Sequence, residues 1–355
     1  MDVIQTTGRK RETYEVRIES SLLWECALGI AAITNKRLLK TLDQPDNYWE
    51  RIRQSLSDEM IEQLNFVEKN NTWKALLQLL HQKSFSDLNT FQTYIDSLTV
   101  EELRFICIPY VGSKFQEIRS QASNGDPTAI HELQSLTKDN IFFPTYIEFI
   151  CTYDVQALKE HLVTVMEGWY QTVIEPTADN LSSILKTDTV SKQNMKMKMK
   201  SEELVEWATG GISYPPEPNV QNVLLIPQYI YRPWNIEADI EGTKVFYYPV
   251  ANESIHPGDA YTPGYFLVQK HKALGDEVRL RIVKLLSEHA RTLQELTEQL
   301  ELGKSTIHHH LKILRSARIV EVRDSKYTLK KSSITALAKE LEHFLYRENQ
   351  VVFDG

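Results

Sequence analysis

The chain has 355 residues, of which 42% are hydrophobic and 25% charged, and its formal net charge is −8. This length is enough for about two domains, and the composition is that of a globular protein rather than a disordered one. The three cysteines, Cys26, Cys107 and Cys151, lie far apart without a CxxC pair, which excludes a disulfide framework and a zinc knuckle.

The first predicted elements are a strand and a helix. Tyr14, Val16 and Ile18 alternate with polar residues, as in a half-buried strand, and helical spacing begins at Ser20. The apolar run that follows is interrupted by Glu25 and is far shorter than the ~20 residues that span a bilayer. No signal-peptide pattern precedes it. We therefore predict a cytoplasmic protein with no membrane segment.

Residues from about 20 to 210 have the apolar spacing and the start signals of helices. The start signals are Thr72 before Trp73, the capping-box sequence Thr99-Val-Glu-Glu102, Asp126-Pro127, and Asp154. The sequence therefore predicts a large helical N-terminal domain.

The composition changes after Gly210-Gly211. Residues 213–218 contain three prolines and cannot form a helix, whereas 223–231 and 244–248 are rich in β-branched and aromatic residues and predict strands. Prolines and glycines between 249 and 264 predict a hinge. We place the domain boundary there, with a domain at 1–260 that has a small strand-containing part near 213–250, and a second domain at 261–355. The predicted fold class is mainly α with small β elements.

The last part of the chain is basic. Residues 265–348 contain 16 Lys and Arg and 11 Asp and Glu, which gives a net charge of +5. The rest of the chain contains 24 Lys and Arg and 37 Asp and Glu, which gives a net charge of −13. Such asymmetry indicates nucleic-acid binding by one domain, because attraction to phosphate depends on the local surface.

Three helices, a hairpin and a final helix are predicted in this basic segment. They are a helix at 279–286 with a lead-in from Leu274, a helix that starts at the capping box Thr292-Leu-Gln-Glu295, a helix at about 304–317, a hairpin of 319–323 and 327–330, and an amphipathic helix at 334–345. Leu302-Gly303-Lys304 is the short glycine-containing turn that a helix-turn-helix requires.

The third of these helices has two different faces. Ile307, Leu311 and Leu314 lie at i, i+4 and i+7 and are expected to be buried. The opposite face carries hydroxyls and imidazoles that suit base edges and cations that suit phosphates, and the hairpin adds further cations. The predicted DNA-binding residues are Lys304, Ser305, Thr306, His308, His309, Lys312, Arg315, Arg323 and Lys326.

Metal-binding and catalytic patterns are weak. Consecutive helical residues point ~100° apart, so His308, His309 and His310 cannot converge on one ion, and His310 is expected to be a hydrogen-bonded structural residue. Glu340 and His343 have ligand spacing, but two ligands are too few. No phosphate loop, GxSxG or HExxH motif occurs. We predict no metal, no cofactor and no enzymatic activity.

The strings Lys272-Ala-Leu-Gly-Asp-Glu-Val-Arg-Leu-Arg-Ile282 and Ser305-Thr-Ile-His-His-His-Leu-Lys312 closely resemble the ArsR family of bacterial winged-helix repressors. The resemblance covers some 80 residues. It implies a homodimer formed by the first and last helices of the module, with a double-stranded DNA operator bound through the third helix.

Two departures from the family pattern matter. Metal-sensing members carry a cysteine pair where this chain has Leu293-Gln-Glu-Leu296, which excludes thiolate metal sensing in this module. Family members usually have a glycine just before the hairpin, which is called the wing, and this chain has Arg318 at that position. Residues 14–33, 223–233 and 247–249 more loosely resemble a large domain found ahead of such a module in some members, which implies a regulatory role.

The leading hypothesis is a sequence-specific transcriptional repressor of the ArsR type, controlled through its N-terminal domain by an unknown small-molecule or protein effector. Two alternatives stay open at this point. The winged helix could instead serve as a protein-interaction module, or the large domain could be an enzyme fused to a domain that tethers it to DNA.

Overall fold

The computed structural model describes residues 13–45, 47–259, 261–323 and 325–346, except for the side chain of His343. Its internal contacts divide the chain into two compact units. Unit 1 comprises Met1–Thr209 and Ser213–Val250, and unit 2 comprises Gly210–Ile212 and Ala251–Gly355. The sequence places a domain boundary near 260, and the internal contacts divide the chain after Val250 and group a three-residue segment far upstream with unit 2.

Unit 1 is mostly helical, as the sequence predicts. Its helices are α1 (Leu22–Ile33), α2 (Lys36–Leu39), α3 (Tyr48–Ser55), α4 (Asp58–Asn70), α5 (Trp73–Leu80), α6 (Leu88–Ser97), α7 (Val100–Cys107), α8 (Gln116–Ser123), α9 (Pro127–Leu136), α10 (Phe143–Thr152), α11 (Val155–Trp169), α12 (Ala178–Lys196) and α13 (Ser201–Ala208). A π-helical turn, Tyr170–Ile174, continues α11. No helix in the described residues is long and apolar enough to cross a membrane.

The predicted helix starts have different outcomes. Thr99, Asp126 and Asp154 each accept hydrogen bonds from backbone N–H groups of the first turn, which stabilises those helix ends. Thr72 does not, because its own backbone is helical and its side chain makes no capping bond. Its hydroxyl is instead hydrogen-bonded to His161 Nε2 at 2.8 Å inside the core. A tertiary contact therefore replaces the expected cap.

The sheet of unit 1 is larger than predicted. It contains β1 (Glu15–Ile18), β2 (Asn222–Gln228), β3 (Ile236–Ile240) and β4 (Thr243–Pro249) in the order β1-β2-β4-β3. The β1–β2 and β2–β4 pairs are parallel, and β3 is antiparallel to β4. β3 is not among the predicted strands, although Ile236, Ala238 and Ile240 alternate with acidic residues. Local patterns also do not pair β1 with β2, which lies some 200 residues away in the chain.

Unit 2 contains a winged helix. Its elements are α14 (Asn252–Ile255), α15 (Tyr265–Leu274), α16 (Glu277–Glu288), α17 (Leu293–Leu300), α18 (Lys304–Ser316), β5 (Val320–Arg323), β6 (Lys326–Leu329) and α19 (Lys331–Leu345). The lead-in predicted for the first helix is a separate helix, α15. The two helices are separate because Asp276 is the N-cap of α16, where its side chain accepts a hydrogen bond from Arg279 N.

A single apolar cluster holds the winged helix together. The predicted stripe of α18, Ile307, Leu311 and Leu314, is fully buried in it. Ile282 and Leu286 of α16 and Leu296 and Leu300 of α17 complete its centre. Each such side chain contributes about 1.5–3 kcal/mol when buried, so this cluster fixes the position of α18 in unit 2.

Candidate nucleic-acid interface

The helix-turn-helix consists of α17, a short turn and α18. Thr292 Oγ1 accepts from Glu295 N at 3.2 Å, and Glu295 Oε2 accepts from Thr292 N at 2.6 Å, which is the predicted capping box. The hydrogen bond from the backbone of Thr292 lowers the pKa of Glu295. The turn reverses at Glu301, which has a φ of 55°, while Gly303 has ordinary extended backbone. The glycine is thus not the residue that makes the turn.

The exposed face of α18 carries the side chains predicted to bind DNA. Seven of the nine predicted residues lie on this helix and all seven are exposed: Lys304, Ser305, Thr306, His308, His309, Lys312 and Arg315. The structure therefore brings hydroxyls, imidazoles and cations together on one solvent-facing surface. This combination suits both base edges and phosphates.

The first turn of α18 has backbone donors as well. Its N-cap residue, Gly303, has no side chain, and no side-chain hydrogen bond caps this helix among the described residues. The first N–H groups of a helix point outward along its axis and favour a phosphate. Exposed Ser305 and Thr306 lie in the same turn. This end of α18 can therefore hold a phosphate close to the side chains that are predicted to contact bases.

The wing is a hairpin of β5 and β6, with one isolated bridge beside it. Val320 pairs with Leu329 and Arg323 with Lys326, and Arg291 forms an antiparallel bridge to Tyr327. This bridge, which the sequence does not predict, joins the wing to the residue before the N-cap of α17. Asp324 of the predicted hairpin tip lies outside the described residues, and Ser325 has a φ of 62°.

The two predicted cations of the wing are exposed, but each has an acidic neighbour. Arg323 Nη2 lies 2.7 Å from Glu321 Oε1, and Lys326 is close enough to help lower the pKa of Glu295. Exposed ion pairs of this kind contribute only ~0–1 kcal/mol, so a phosphate can compete with the carboxylate. The wing is therefore less basic locally than its cations alone suggest.

His310 differs from its two neighbours, as expected, because it is only partly exposed. The expected hydrogen bond is not found at its Nδ1, which has no hydrogen-bond partner among the described residues. The nearest carboxylate oxygen, Asp276 Oδ1, lies 3.8 Å away, which is an ion-pair distance for a protonated ring. Asp276 Oδ1 accepts from Arg279 N at 2.9 Å and lies beyond hydrogen-bond distance of the His310 ring.

Glu340 is already engaged within unit 2. Its two carboxylate oxygens accept from Lys270 Nζ at 2.7 and 2.9 Å. The side chain of His343, which has metal-ligand spacing to Glu340 in the sequence, lies outside the described part of the chain. The ion pair gives Glu340 a structural role between α15 and α19.

Arg318 occupies the position just before the wing. It has a φ of 57°, in the left-handed region that favours glycine. Its guanidinium carbon lies 3.8 Å from the centroid of the Phe266 ring of α15. The sequence shows the missing glycine but does not predict this contact, because no local pattern joins residues that are 52 positions apart.

Comparison with known proteins bears directly on this region. Residues 276–322 match the family described as bacterial regulatory protein, arsR family. The chain carries an ArsR-family helix-turn-helix domain. The match runs from the start of α16 to the first strand of the wing, so it covers the exposed face of α18. It supports DNA binding by this domain.

Two proteins of Methanocaldococcus jannaschii are similar to part of this chain. The uncharacterized HTH-type transcriptional regulator MJ0229 is 28% identical over 86 residues, which are 24% of this chain and 87% of the relative. The uncharacterized HTH-type transcriptional regulator MJ1325 is 43% identical over 53 residues, 15% of this chain and 60% of the relative. No solved structure matches the chain at a significant level.

Proposed function

We propose that the chain is a sequence-specific, DNA-binding transcriptional repressor that acts in the cytoplasm, where its DNA partner is. The observation that carries the proposal is the polar and cationic face of α18, exposed as a whole while the opposite face is fully buried. A winged helix that only contacts protein has no need of this surface. The ArsR-family match over 276–322 supports the same conclusion.

The exposed residues divide into two groups by their chemistry and position. Ser305, Thr306 and His309 lie in the first two turns of α18 and are suited to base edges in the major groove. Phosphate contacts are assigned to the remaining predicted residues, namely Lys304, His308, Lys312, Arg315, Arg323 and Lys326. Specificity then depends on the first group, and most of the salt-dependent affinity depends on the second.

The protein is proposed to act as a homodimer. The last helix, α19, has an apolar stripe that unit 2 covers only partly, since Leu345 is 60% exposed and Tyr346, just after the helix, is 80% exposed. A two-fold axis there presents two copies of α18 to the same side of a duplex. The operator is then an imperfect palindrome with half-sites about one or two helical turns apart.

Unit 1 is proposed to be a regulatory domain and not an enzyme. It contains a cleft of ≈ 430 Å³ next to Ile18, Ser21 and Trp24, where β1 ends and α1 begins. Carboxyl ends of parallel strands are common ligand sites in open sheets, so a small-molecule effector fits this place. A protein effector is the other option. Coupling of such an effector to operator affinity is expected to be about 1–3 kcal/mol.

The test is a selection experiment followed by binding measurements. The full chain is used to select duplexes from a randomised library, and affinity is then compared between a selected duplex and a scrambled duplex of the same composition. His309→Ala is expected to weaken only the selected duplex, whereas His289→Ala, an exposed histidine outside α18, serves as the matched control. Equal affinity for both duplexes would leave DNA reading unsupported. No binding to any duplex would favour the protein-contact alternative.

Regulation is tested in cells and with an effector screen. Repression predicts that deletion of the protein raises expression from promoters that contain the selected sequence. Small molecules that raise the unfolding temperature of the full chain and also change its operator affinity would identify the effector class. A compound that stabilises the protein but leaves operator affinity unchanged would argue against regulation through that site.

A further inference from the structure

The end of α18 has a defined geometry that sets the direction of the wing. Arg318 N donates to Arg315 O at 2.9 Å, and Ile319 N donates to Leu314 O at 3.0 Å. These two bonds, with the positive φ of Arg318, form a Schellman motif that closes the helix. Ile319 and Leu314 are both buried in the core, and apolar residues at these two positions often accompany the motif. The chain therefore leaves α18 and enters β5 through Arg318.

The side chain of Arg318 is held in an unfavourable environment. It stacks on the Phe266 ring, and burial lowers the pKa of Arg318 to about 9. Its Nη1 is buried and has no hydrogen-bond partner among the described residues. An arginine here thus combines a backbone conformation that favours glycine with a desolvated charge. Positions that break local rules twice are often functional.

A segment from far upstream covers this stack. We call Gly210–Ile212 the strap; it belongs to unit 2, while the residues on both sides of it in the sequence belong to unit 1. A Cβ atom on Gly210 would lie 2.6 Å from Phe266 Cδ2 and 2.8 Å from Arg318 Nη1. Only glycine fits such an approach, and Gly210 also has a φ of +66°.

The strap also approaches Lys330, the residue that follows the second strand of the wing. A Cβ atom on Gly211 would lie 3.2 Å from Arg318 Cδ and 3.8 Å from Lys330 Nζ. Arg318 precedes β5 and Lys330 follows β6, so the two residues mark where the hairpin begins and ends. The strap therefore lies against both ends of the wing.

We propose that Arg318 and the strap are positioning elements that set the angle between the wing and α18, and that unit 1 influences DNA binding through the strap. This inference rests on the proposed DNA-binding function and adds the route of its regulation. Arg318 acts through Arg323 and Lys326, the wing cations, and does not itself need to contact DNA. A change in unit 1 that shifts the strap would move these cations relative to the phosphates.

The test is a double-mutant cycle in the full chain with the selected duplex. Arg318→Gly suits the left-handed backbone conformation but removes the stack on Phe266. The fold is therefore expected to be retained, while the affinity for the selected duplex falls about tenfold. In the Arg323→Ala/Lys326→Ala background, Arg318→Gly is expected to change affinity less than about twofold, because the contacts that it positions are already absent. Relative to wild type, Arg318→Gly alone and the Arg323→Ala/Lys326→Ala variant should each lower the slope of log K against log salt by about two units.

The strap is tested with a matched pair of glycines. Gly210→Ala is expected to reproduce the loss seen with Arg318→Gly, and the two changes together should cost no more than either alone. Gly242→Ala is the control, because Gly242 has nearly the same φ, +67°, but nothing within 4 Å of the added Cβ. It should leave affinity unchanged. Arg318→Lys keeps a cation near the ring and is expected to recover part of the affinity.

The outcomes separate the inference from the function on which it rests. Equal loss on the wild-type and wing-variant backgrounds would mean that Arg318 contacts DNA directly or only stabilises the fold, and it would overturn the proposal. Unchanged binding by a folded Arg318→Gly protein would do the same, while DNA binding itself stood. If Arg318→Gly does not fold, Phe266→Leu removes the same stack and takes its place in the cycle. Failure of the wild-type chain to prefer the selected duplex would instead overturn the DNA-reading function.

Discussion

Lys270 of α15 and Glu340 of α19 form a two-pronged ion pair, with Lys270 Nζ 2.7 and 2.9 Å from the two carboxylate oxygens. The lysine side chain is 5% exposed and the glutamate side chain 35% exposed. A buried ammonium is costly without a charged partner, and Glu340 provides one. The pair joins α15 to α19, the last helix of unit 2.

Replacement of Lys270 by methionine should lower the free energy of unfolding of unit 2 by about 1–2 kcal/mol, because Glu340 loses its partner while the packing of the long side chain is kept. Urea unfolding measures the effect. Lys284→Met is the control, since Lys284 pairs with Glu288 at 3.6 Å on the exposed surface of α16. That change is expected to cost less than ~0.5 kcal/mol. Equal costs would show that burial of Lys270 does not matter.

The two groups of DNA-binding residues should differ in their salt behaviour. Alanine at Ser305, Thr306 or His309 is expected to cost about 1–3 kcal/mol on the selected duplex and little on a scrambled one. Alanine at Lys312 or Arg315 should weaken binding to both duplexes and lower the salt slope by about one unit per contact. Salt titrations of each variant on both duplexes provide the measurement. The orientation of α18 would have to be revised if His309→Ala weakened both duplexes equally.

The exposed end of α19 should control assembly. Leu345→Asp places a charge in the apolar surface proposed for the dimer, so the variant is expected to be monomeric at micromolar concentration while its winged helix stays folded. Analytical ultracentrifugation measures this. Val322→Asp is the control, because Val322 is an exposed apolar residue on the wing, 42% exposed, and should leave the dimer intact. A monomeric wild-type protein would contradict the proposed assembly.

The stability of unit 1 should depend on the ionisation of Glu25. Its carboxylate accepts from the N–H groups of Tyr229 and Ile230 just after β2, yet burial raises the pKa of Glu25 from its ordinary value of 4.5 to about 7. The folded state therefore holds the proton more tightly than the unfolded state. As pH rises from 4.5 to 7, stability is lost, and above 7 the loss reaches about 3 kcal/mol.

Glu25→Gln isolates this contribution, because the amide cannot ionise. In the variant an NH2 group replaces one of the two side-chain oxygens that accept from backbone N–H groups, so its absolute stability is lower. The difference between wild type and variant should nevertheless shrink as pH rises between 4.5 and 7. Chemical denaturation at several pH values measures the difference. A difference that is independent of pH would mean that Glu25 stays ionised in the folded protein.

Local patterns in the sequence were enough to predict most of the winged helix. The capping box at Thr292 and Glu295 and the stripe of Ile307, Leu311 and Leu314 depend on residues three to seven positions apart. Their geometry is therefore fixed by the helix itself. The exposed face of α18 follows from the buried one, so the candidate residues on it could be placed before any tertiary contact was known.

The remaining features required the tertiary structure, because they join residues that are distant in the chain. The sequence could not show that β1 pairs with β2, since parallel strands have no turn signal between them. Nor could it show that Thr72 bonds His161 in place of capping α5. The stack of Arg318 on Phe266 under Gly210 is the clearest case. The sequence marked Arg318 only as a missing glycine, and packing of three distant segments decided what the arginine contacts.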